Sequence, residues 1–357
     1  MSNQERIIAG HRSHPRLIVA AAVAALSCLV GAATPCRAAD EVRAAYFYHH
    51  MDVAHLDRLA ATGFNRAVIH WNGDSLDEKG AVELAAFRVR GSALGIEIVP
   101  QWAVQQPTRL VGRPLSRRYT WGDGTVEPEV ACPLDSVYWR TAVLGRAGEF
   151  FAADSTLERL AIDLELYWGS RHHFVDGACR CPFCVAEYLG GADVPIRDPR
   201  KLSGLMGWQE SALDRMLTSL LEEFARVHPG VELGVFDLDL DSFVHRALAR
   251  ALRRSGVRTA DYCERSYSTG ASALAAARTR LDGLGLTTTP LLGGLWLKRF
   301  PPSRLPQAMK DVLQRADGHF IFTTYSLWLE PAQLKNDYVV ESPQADYWDA
   351  LTQGNSP

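Results

Sequence analysis

The segment Leu160–Leu166 reads LAIDLEL, a short apolar run in which two acids stand at alternate positions. Its length and alternation are typical of a buried β-strand with one polar end. Seven more apolar or alternating runs follow the same scheme, and segments with helical spacing of apolar residues lie between them. The eight predicted strands are Val42–Tyr48, Ala67–Trp71, Ile96–Trp102, Leu160–Leu166, Glu232–Leu238, Arg258–Tyr262, Pro290–Trp296 and His319–Thr324.

Strands that alternate with helices form parallel sheets, because a right-handed helical crossover returns the chain to the same edge. Eight such units in about 300 residues predict a closed (β/α)8 TIM barrel. An open doubly wound sheet is the alternative, but the turn Tyr48–Asp52 after the first run has no glycine-rich phosphate loop. The longest intervals follow strands 3 and 4, so we expect long loops there, at the face where barrels carry their sites. The predicted barrel spans residues 40–330, and residues 331–357 form a C-terminal tail.

Residues 1–39 have the features of a secretory signal peptide. Three arginines precede the apolar run Leu17–Ala33, which closes on the small residues of Cys36–Ala39. This predicts a secreted or periplasmic protein. The segment Ala25–Cys28 also loosely resembles a lipoprotein cleavage signal, which leaves a lipid anchor through Cys28 open. No later stretch approaches twenty apolar residues, so we expect no transmembrane span.

The formal net charge of the 357-residue chain is −3. The predicted leader holds four arginines and one glutamate, and without it 34 basic and 40 acidic side chains remain, a net charge of −6. A mildly acidic surface does not favour nucleic acid as a partner, because such binding depends on neutralising phosphates.

The run Cys179–Cys184, CRCPFC, places three thiols within six residues. They are too close together to pair with one another in unstrained disulfides, whereas tetrahedral zinc tolerates such spacing if a fourth ligand comes from elsewhere. Cys132 is the natural fourth ligand, and His172 or His173 is the alternative. A disulfide from Cys132 to Cys179 is the competing interpretation for an oxidising compartment. The predicted ligands of a structural zinc are Cys132, Cys179, Cys181 and Cys184.

Alternation in the fourth run puts Asp163 and Glu165 on one face of the strand, toward the mouth of the predicted barrel. Two carboxylates this close raise the pKa of one of them, and a raised pKa suits a general acid. The alternative is a structural pair matched by buried basic residues. Ordinary glycoside hydrolysis needs a second carboxylate, and Glu264, just past the sixth run, is the first candidate. The other candidates are Asp237, Asp239 and Asp241.

Aromatic residues crowd the ends of the predicted strands. Such side chains stack on the flat faces of sugar rings and offer polar tips, although any one of them can also belong to the core. The predicted sugar-binding residues are Trp71, Trp102, Tyr167, Trp168, Tyr267, Trp296, Tyr325 and Trp328.

Two segments resemble known enzymes over about 60 residues. Ala131–Pro133 followed by Tyr138, and Cys179–Cys184 after a strand that ends in a glutamate, are similar to the zinc-cluster segments of family-42 β-galactosidases and related glycosidases. The resemblance implies Glu165 as acid/base and the four cysteines as zinc ligands. Those enzymes have Asn-Glu where this chain has Leu164-Glu165, and they take their nucleophile from the seventh strand, which has no acid here.

The ending Asp163-Leu164-Glu165 is also similar to the last part of the family-18 chitinase signature. That resemblance implies a glutamate acid and a substrate acetamido group as nucleophile. This chain has Ala161 where that signature has a further aspartate.

These observations predict a secreted glycoside hydrolase that cleaves an oligo- or polysaccharide with Glu165 as general acid/base, with Asp163 orienting it. One alternative is a non-catalytic carbohydrate-binding barrel that has lost its nucleophile, and another is a substrate-assisted, family-18-like hydrolase. A metal-dependent hydrolase that uses His49, His50 and aspartate residues is a third.

Overall fold

A computed structural model describes residues 41–71, 76–103, 115–164, 167–168, 171–172, 177–191, 198 and 200–356. The strands are β1 Val42–Tyr48, β2 Arg66–His70, β3 Glu97–Ala103, β4 Arg118–Thr120, β5 Val126–Ala131, β6 Arg159–Asp163, β7 Tyr167–Trp168, β8 Arg171–His172, β9 Glu232–Phe236, β10 Arg258–Cys263, β11 Leu291–Trp296 and β12 Gly318–Phe322. The α-helices are His55–Ala61, Glu78–Leu94, Ser136–Tyr138, Gly145–Ala153, Pro182–Tyr188, Leu205–Val227, Phe243–Ser255, Ser266–Thr269, Leu274–Gly283, Leu305–Leu313 and Gln344–Asn355, and a π-helix covers Trp139–Leu144.

Eight strands form a closed parallel barrel in the order β1-β12-β11-β10-β9-β6-β3-β2. This confirms the predicted (β/α)8 architecture. The eight predicted runs correspond to these strands with ends displaced by a few residues; the second, for example, begins at Arg66 rather than Ala67.

Local signals set the helix ends. Asp77 begins the helix Glu78–Leu94 by accepting a hydrogen bond from the Gly80 N–H at 2.7 Å, which satisfies a donor that the first turn leaves unpaired. Gly95 ends the same helix at φ 69°, a left-handed conformation that costs glycine little.

The two faces of the barrel strands bury different cores, as the two-residue period of a strand requires. Side chains on the inner face fill the barrel, and those on the outer face pack against the helices. The inner core consists of Ala44, Tyr46, Val68, Val99, Ala161, Phe236, Ala260, Tyr262, Leu292 and Phe320.

The long connections predicted after strands 3 and 4 are present. The first, after β3, contains the antiparallel pair β4–β5 and leads through the π-helix to the helix Gly145–Ala153. The second, after β6, contains the pair β7–β8 and the helices Pro182–Tyr188 and Leu205–Val227.

Charged residues of alternating sign close the amino-terminal end of the barrel. Arg66 of β2 pairs with Glu97 of β3 at 2.8 Å, Glu97 also contacts Arg159 of β6, and Arg159 pairs with Glu232 of β9 at 3.0 Å. Burial opposes ionisation of Glu97, but the two arginines outweigh it and lower the pKa of this carboxyl. Each of these buried or partly buried charges therefore has an opposite partner, as burial of ions requires.

The final helix, Gln344–Asn355, closes the barrel from outside. Buried Asn355 donates from Nδ2 to the Thr62 carbonyl at 3.0 Å and lies 3.0 Å from His319 Nε2 through its Oδ1. Its carbonyl accepts a hydrogen bond from Arg43 Nη1 at 2.7 Å. The segment predicted as a tail thus contains a helix that joins β1, β12 and the turn before β2.

His319 predicts how stability depends on acid. Burial lowers the pKa of its imidazole to about 4, so the folded state holds it neutral while the unfolded chain protonates it below its usual 6.5. Stability should therefore be lost as pH falls from about 6.5 toward 4, by roughly 2 kcal/mol at pH 5 from this residue. Urea unfolding at pH 7 and pH 5 should show a smaller difference for His319→Gln than for wild type. Equal differences for the two proteins would contradict this assignment.

In the part of the chain that the structure describes, no helix is long and apolar enough to cross a membrane.

Candidate active site at the barrel mouth

The carboxyl end of β6 carries the first predicted acid into the barrel mouth. Ala161 belongs to the inner core and Ile162 to the outer one, so Asp163 faces the interior. Glu165 lies outside the described residues. The backbone of Tyr167 and Trp168 forms β7, but their side chains are also outside the described part.

Glu264 lies just past β10, in a turn that its neighbours fix. Its Oε1 accepts a hydrogen bond from the Tyr267 hydroxyl at 3.0 Å, and its N–H donates to Asp237 Oδ1 at 2.7 Å. The structure therefore brings Glu264 and Tyr267 together at the mouth, and the carboxylate of Asp237 is engaged by a backbone amide.

Aromatic packing holds the Tyr267 ring, and a glycine on the neighbouring strand leaves room for it. Its ring stacks on Phe322 with centroids 4.8 Å apart. A Cβ on Gly294 of β11 would come within 2.5 Å of the Tyr267 ring, so only glycine leaves room for it. Burial raises the pKa of Tyr267, and the charges of Glu264 and Asp163 raise it further. The hydroxyl is thus a protonated donor close to both acids.

Three polar side chains from β1, β2 and β3 line the other half of the mouth. Gln101 Oε1 contacts His70 Nδ1 and lies 3.4 Å from the Tyr46 hydroxyl. The Gln101 amide is fully buried, and its Nε2 has no hydrogen-bond partner among the described residues. Tyr46 and Gln101 were not among the predicted site residues. Each stands two positions after an inward-facing residue of its own strand, Ala44 or Val99, and this spacing is the signal that points to them.

The other predicted aromatic residues divide between the mouth and the outer core. Trp296 approaches Phe322 at 6.1 Å, and Tyr325 meets Tyr48 at 4.8 Å. The remaining three pack between the barrel and the helices, because their strand positions face outward or lie beyond the strand. Trp71 stacks on His49, Trp102 lies under the Arg146 guanidinium, and Trp328 stacks on His55.

The remaining candidates for a second carboxylate have other partners. Asp239 is buried and forms an ion pair with Arg265. Asp241 is exposed and pairs with Arg246 at 2.6 Å.

Four cysteine sulfurs form a compact buried cluster between the two long connections. The Sγ atoms of Cys132, Cys179, Cys181 and Cys184 all lie within 4.8 Å of one another. Cys132 Sγ is 3.3 Å from Cys184 Sγ and 3.9 Å from Cys181 Sγ, and all four thiols are free. Zinc–sulfur bonds of about 2.3 Å in a tetrahedron require sulfur separations of about 3.8 Å. This set could therefore hold a metal ion such as zinc.

Backbone donors and a buried amide support the cysteine cluster. The Thr120 N–H points at Cys179 Sγ and the Leu134 N–H at Cys132 Sγ, each at 3.4 Å. The Gln209 side chain donates to the Cys179 carbonyl at 2.7 Å and accepts from its N–H at 3.1 Å. Hydrogen bonds with the neighbouring thiols lower the pKa of Cys181, whereas the thiols of Cys179 and Cys181, together with burial, raise the pKa of Cys132 and of Cys184. The two backbone N–H donors would stabilise thiolate, the form that binds metal, at Cys179 and Cys132.

A second group of potential ligands joins Asp237, Asp239 and Cys263. Arg265 already pairs with Asp239, and Arg280 lies 4.0 Å from the same carboxylate. This group is therefore balanced without a cation. No histidine belongs to a cluster of metal ligands among the described residues, and His49 Nδ1 is engaged by Glu83 at 2.7 Å.

Comparison with known proteins gives matches by structure only. No protein family matches the sequence, and no curated protein does. The β-galactosidase of the psychrophile Marinomonas ef1 superposes with a TM-score of 0.57 at 9% identity, over 87% of this chain and 58% of that one. The Thermobaculum terrenum O-GlcNAc hydrolase gives 0.44 at 11% identity, over 88% and 63%. The family-18 chitinase ChiB of Flavobacterium johnsoniae gives 0.40 at 10% identity, over 87% and 94%.

Many of the matching structures are glycoside hydrolases, but a D-psicose 3-epimerase also matches. At 9% identity the likeness to the β-galactosidase shows the fold alone, an eight-stranded parallel barrel. This chain spans 58% and 63% of the lengths of the first two proteins.

Proposed function

We propose that the protein is a secreted glycoside hydrolase that cleaves an oligo- or polysaccharide, with Glu165 as general acid/base. The observation that carries the proposal is Asp163, an inward carboxylate at the carboxyl end of a barrel strand, with the Glu264–Tyr267 pair also in the mouth. In barrels of this class the chemistry lies at that end of the strands. Glu165 follows Asp163 by two residues, and an extended backbone would put both on one face.

In this proposal Glu165 protonates the leaving oxygen, Asp163 orients it, and Glu264 is the second carboxylate. Hydrogen-bond donors and acceptors on Tyr46, His70 and Gln101 would hold the sugar hydroxyls. Tyr267 and Trp296 are the aromatic residues best placed to stack on a sugar. We keep Tyr325, Tyr167 and Trp168 as candidates beside them, whereas Trp71, Trp102 and Trp328 pack in the outer core.

A substrate-assisted mechanism is the second candidate, and one observation favours it. The inward positions of β11 are Leu292, Gly294 and Trp296, so the seventh barrel strand presents no acid. The space beside Gly294 is filled by Tyr267. An acetamido group of the substrate could then act as the nucleophile, as the Asp163-Leu164-Glu165 ending suggests. A binding-only barrel is the third candidate.

We further propose that Cys132, Cys179, Cys181 and Cys184 bind one structural zinc ion. Four thiolate ligands leave no open position for water, so the ion would stabilise structure rather than activate a substrate. It would tie the connection after β3 to the connection after β6. Residues 1–39 would act as the signal peptide, and a lipid anchor through Cys28 is the alternative for the same segment.

The decisive experiment is an assay of the purified protein on aryl glycosides and polysaccharides, including N-acetylated and non-acetylated sugars, with binding measured by calorimetry in parallel. Hydrolysis confined to acetamido sugars supports the substrate-assisted mechanism, and hydrolysis of other sugars supports a second protein carboxylate. Sugar binding with no release of product over days would overturn the hydrolase proposal in favour of a binding protein.

A further inference from the structure

Two neighbouring strand ends hold each other through aspartate side chains. Asp237, just past β9, accepts the Glu264 N–H at Oδ1 over 2.7 Å. Asp261 of β10 accepts the Leu238 N–H at Oδ1 over 2.9 Å. Each carboxylate thus fixes the backbone that follows the other strand, and we call Asp237 and Asp261 the β9–β10 clasp.

The backbone at Asp237 adopts an unusual conformation to make this contact. Its φ is 52°, and no other non-glycine residue in the described part of the chain has a positive φ. Aspartate tolerates this left-handed region better than most residues, but glycine would adopt it more easily. Hydrogen bonds secure both sides of the residue: its N–H donates to the Tyr262 carbonyl at 2.9 Å, and its carbonyl accepts from the Leu240 N–H at 2.7 Å.

Burial of the two carboxyl groups of the clasp is energetically unfavourable. Asp261 is completely buried, and in the described part of the chain its Oδ2 has no hydrogen-bond partner. Burial raises the pKa of Asp261, and the nearby charge of Asp237 raises it further. Burial likewise raises the pKa of Asp237. Strained backbone and buried acids of this kind are kept where the surrounding structure needs a particular geometry.

The geometry that the clasp sets is that of Glu264. With its N–H fixed by Asp237, the turn after β10 directs the Glu264 carboxylate to the Tyr267 hydroxyl, 3.0 Å away. We propose that Asp237 is a positioning residue, which together with Asp261 holds the backbone of Glu264 so that its carboxylate stays in the barrel mouth. This inference rests on the proposed function, in which Glu264 is the second carboxylate.

Two substitutions at Asp237 separate positioning from stability. Asp237→Gly relieves the backbone strain but removes the acceptor for the Glu264 N–H. Asp237→Asn keeps an acceptor oxygen and tolerates the same φ. Asp241→Asn is the matched control, because Asp241 is an exposed acid of the same loop that pairs with Arg246.

We expect Asp237→Gly to keep or raise the melting temperature while kcat on the aryl glycoside that wild type cleaves falls about 100-fold, the loss typical of a misplaced group. KM should change much less, Asp237→Asn should recover most of the lost kcat, and Asp241→Asn should match wild type. A purely structural role would instead move melting temperature and activity together. Unchanged kcat in Asp237→Gly, equal losses in the Gly and Asn variants, or failure of Asp237→Gly to fold would overturn the proposal.

Crystal structures of wild type and Asp237→Gly give a test that needs no turnover. The contact between Glu264 and Tyr267 should be present in wild type and in Asp237→Asn and absent from Asp237→Gly. If the contact survives in Asp237→Gly, the clasp does not position Glu264. If wild type cleaves no glycoside, the proposed function fails, and this structural comparison still decides the inference about the clasp.

Discussion

Replacement of Glu165 by glutamine is expected to lower turnover by about 10²- to 10⁴-fold, the range that a positioned general acid supplies. Glutamine has nearly the same shape but cannot donate a proton to the departing oxygen. The fold should be unaffected, so the melting temperature and the affinity for sugar should stay near those of wild type. Steady-state hydrolysis, calorimetry and thermal unfolding measure the three quantities.

The leaving group provides a sharper signature of the same role. A dinitrophenolate departs without protonation, so Glu165→Gln should lose much less kcat/KM, which reports departure of the leaving group, on a dinitrophenyl glycoside than on an unactivated saccharide. Glu187→Gln is the matched control, because Glu187 also follows β6 but pairs with Arg117 at 2.8 Å. Wild-type rates in Glu165→Gln, or equal losses of kcat/KM on both substrates, would rule out Glu165 as the acid.

The second large effect concerns the cysteine cluster. We expect one zinc ion per chain, and Cys181→Ser should lose it, because a closed four-thiolate site retains little affinity with three ligands. Apparent zinc binding energies of about 10 to 16 kcal/mol in small zinc domains show how much stability such a site can contribute. Metal analysis and thermal unfolding should therefore show zinc loss together with a lower melting temperature.

Cys263→Ala is the control for the zinc prediction, since Cys263 is a buried free thiol outside the cluster. It should keep the zinc ion. Thiol titration of the unfolded, chelator-treated protein tests the disulfide alternative, because a Cys132–Cys179 bridge would remove two thiols from the count. Unchanged zinc content in Cys181→Ser, or the missing thiols, would contradict the zinc site.

The sequence predicts the barrel well because its strands are short apolar runs separated by helices. An apolar run is buried wherever it lies, so its burial can be predicted from the run alone. Ala161 and Ile162 show why the faces of β6 could also be assigned, since alternation needs no tertiary information. The final helix Gln344–Asn355 was not predicted, because partners such as Thr62 and Arg43 are distant in the chain. The π-helix Trp139–Leu144 was not predicted either.

The candidate site was harder to predict than the fold. Trp71 and Trp102 were predicted as site residues because they stand at strand ends. Each lies an even number of residues from an outward-facing isoleucine, Ile69 or Ile98, so both side chains belong to the outer core. The engagement of Asp237 by the Glu264 N–H depends on a left-handed turn next to another strand. No periodicity in the sequence indicates such a contact.

The alternating charges at the amino-terminal end of the barrel have a consequence for strand order. Arg66, Glu97, Arg159 and Glu232 lie on four successive barrel strands. An exchange of two adjacent strands among these four would bring like charges together where the side chains are buried or partly buried. A slip of β2 by two residues would set Arg66 against apolar Val99, and a slip by one would turn it into the outer core. The four charges thus favour one order and one register of these strands, and they penalise mispaired barrels during folding.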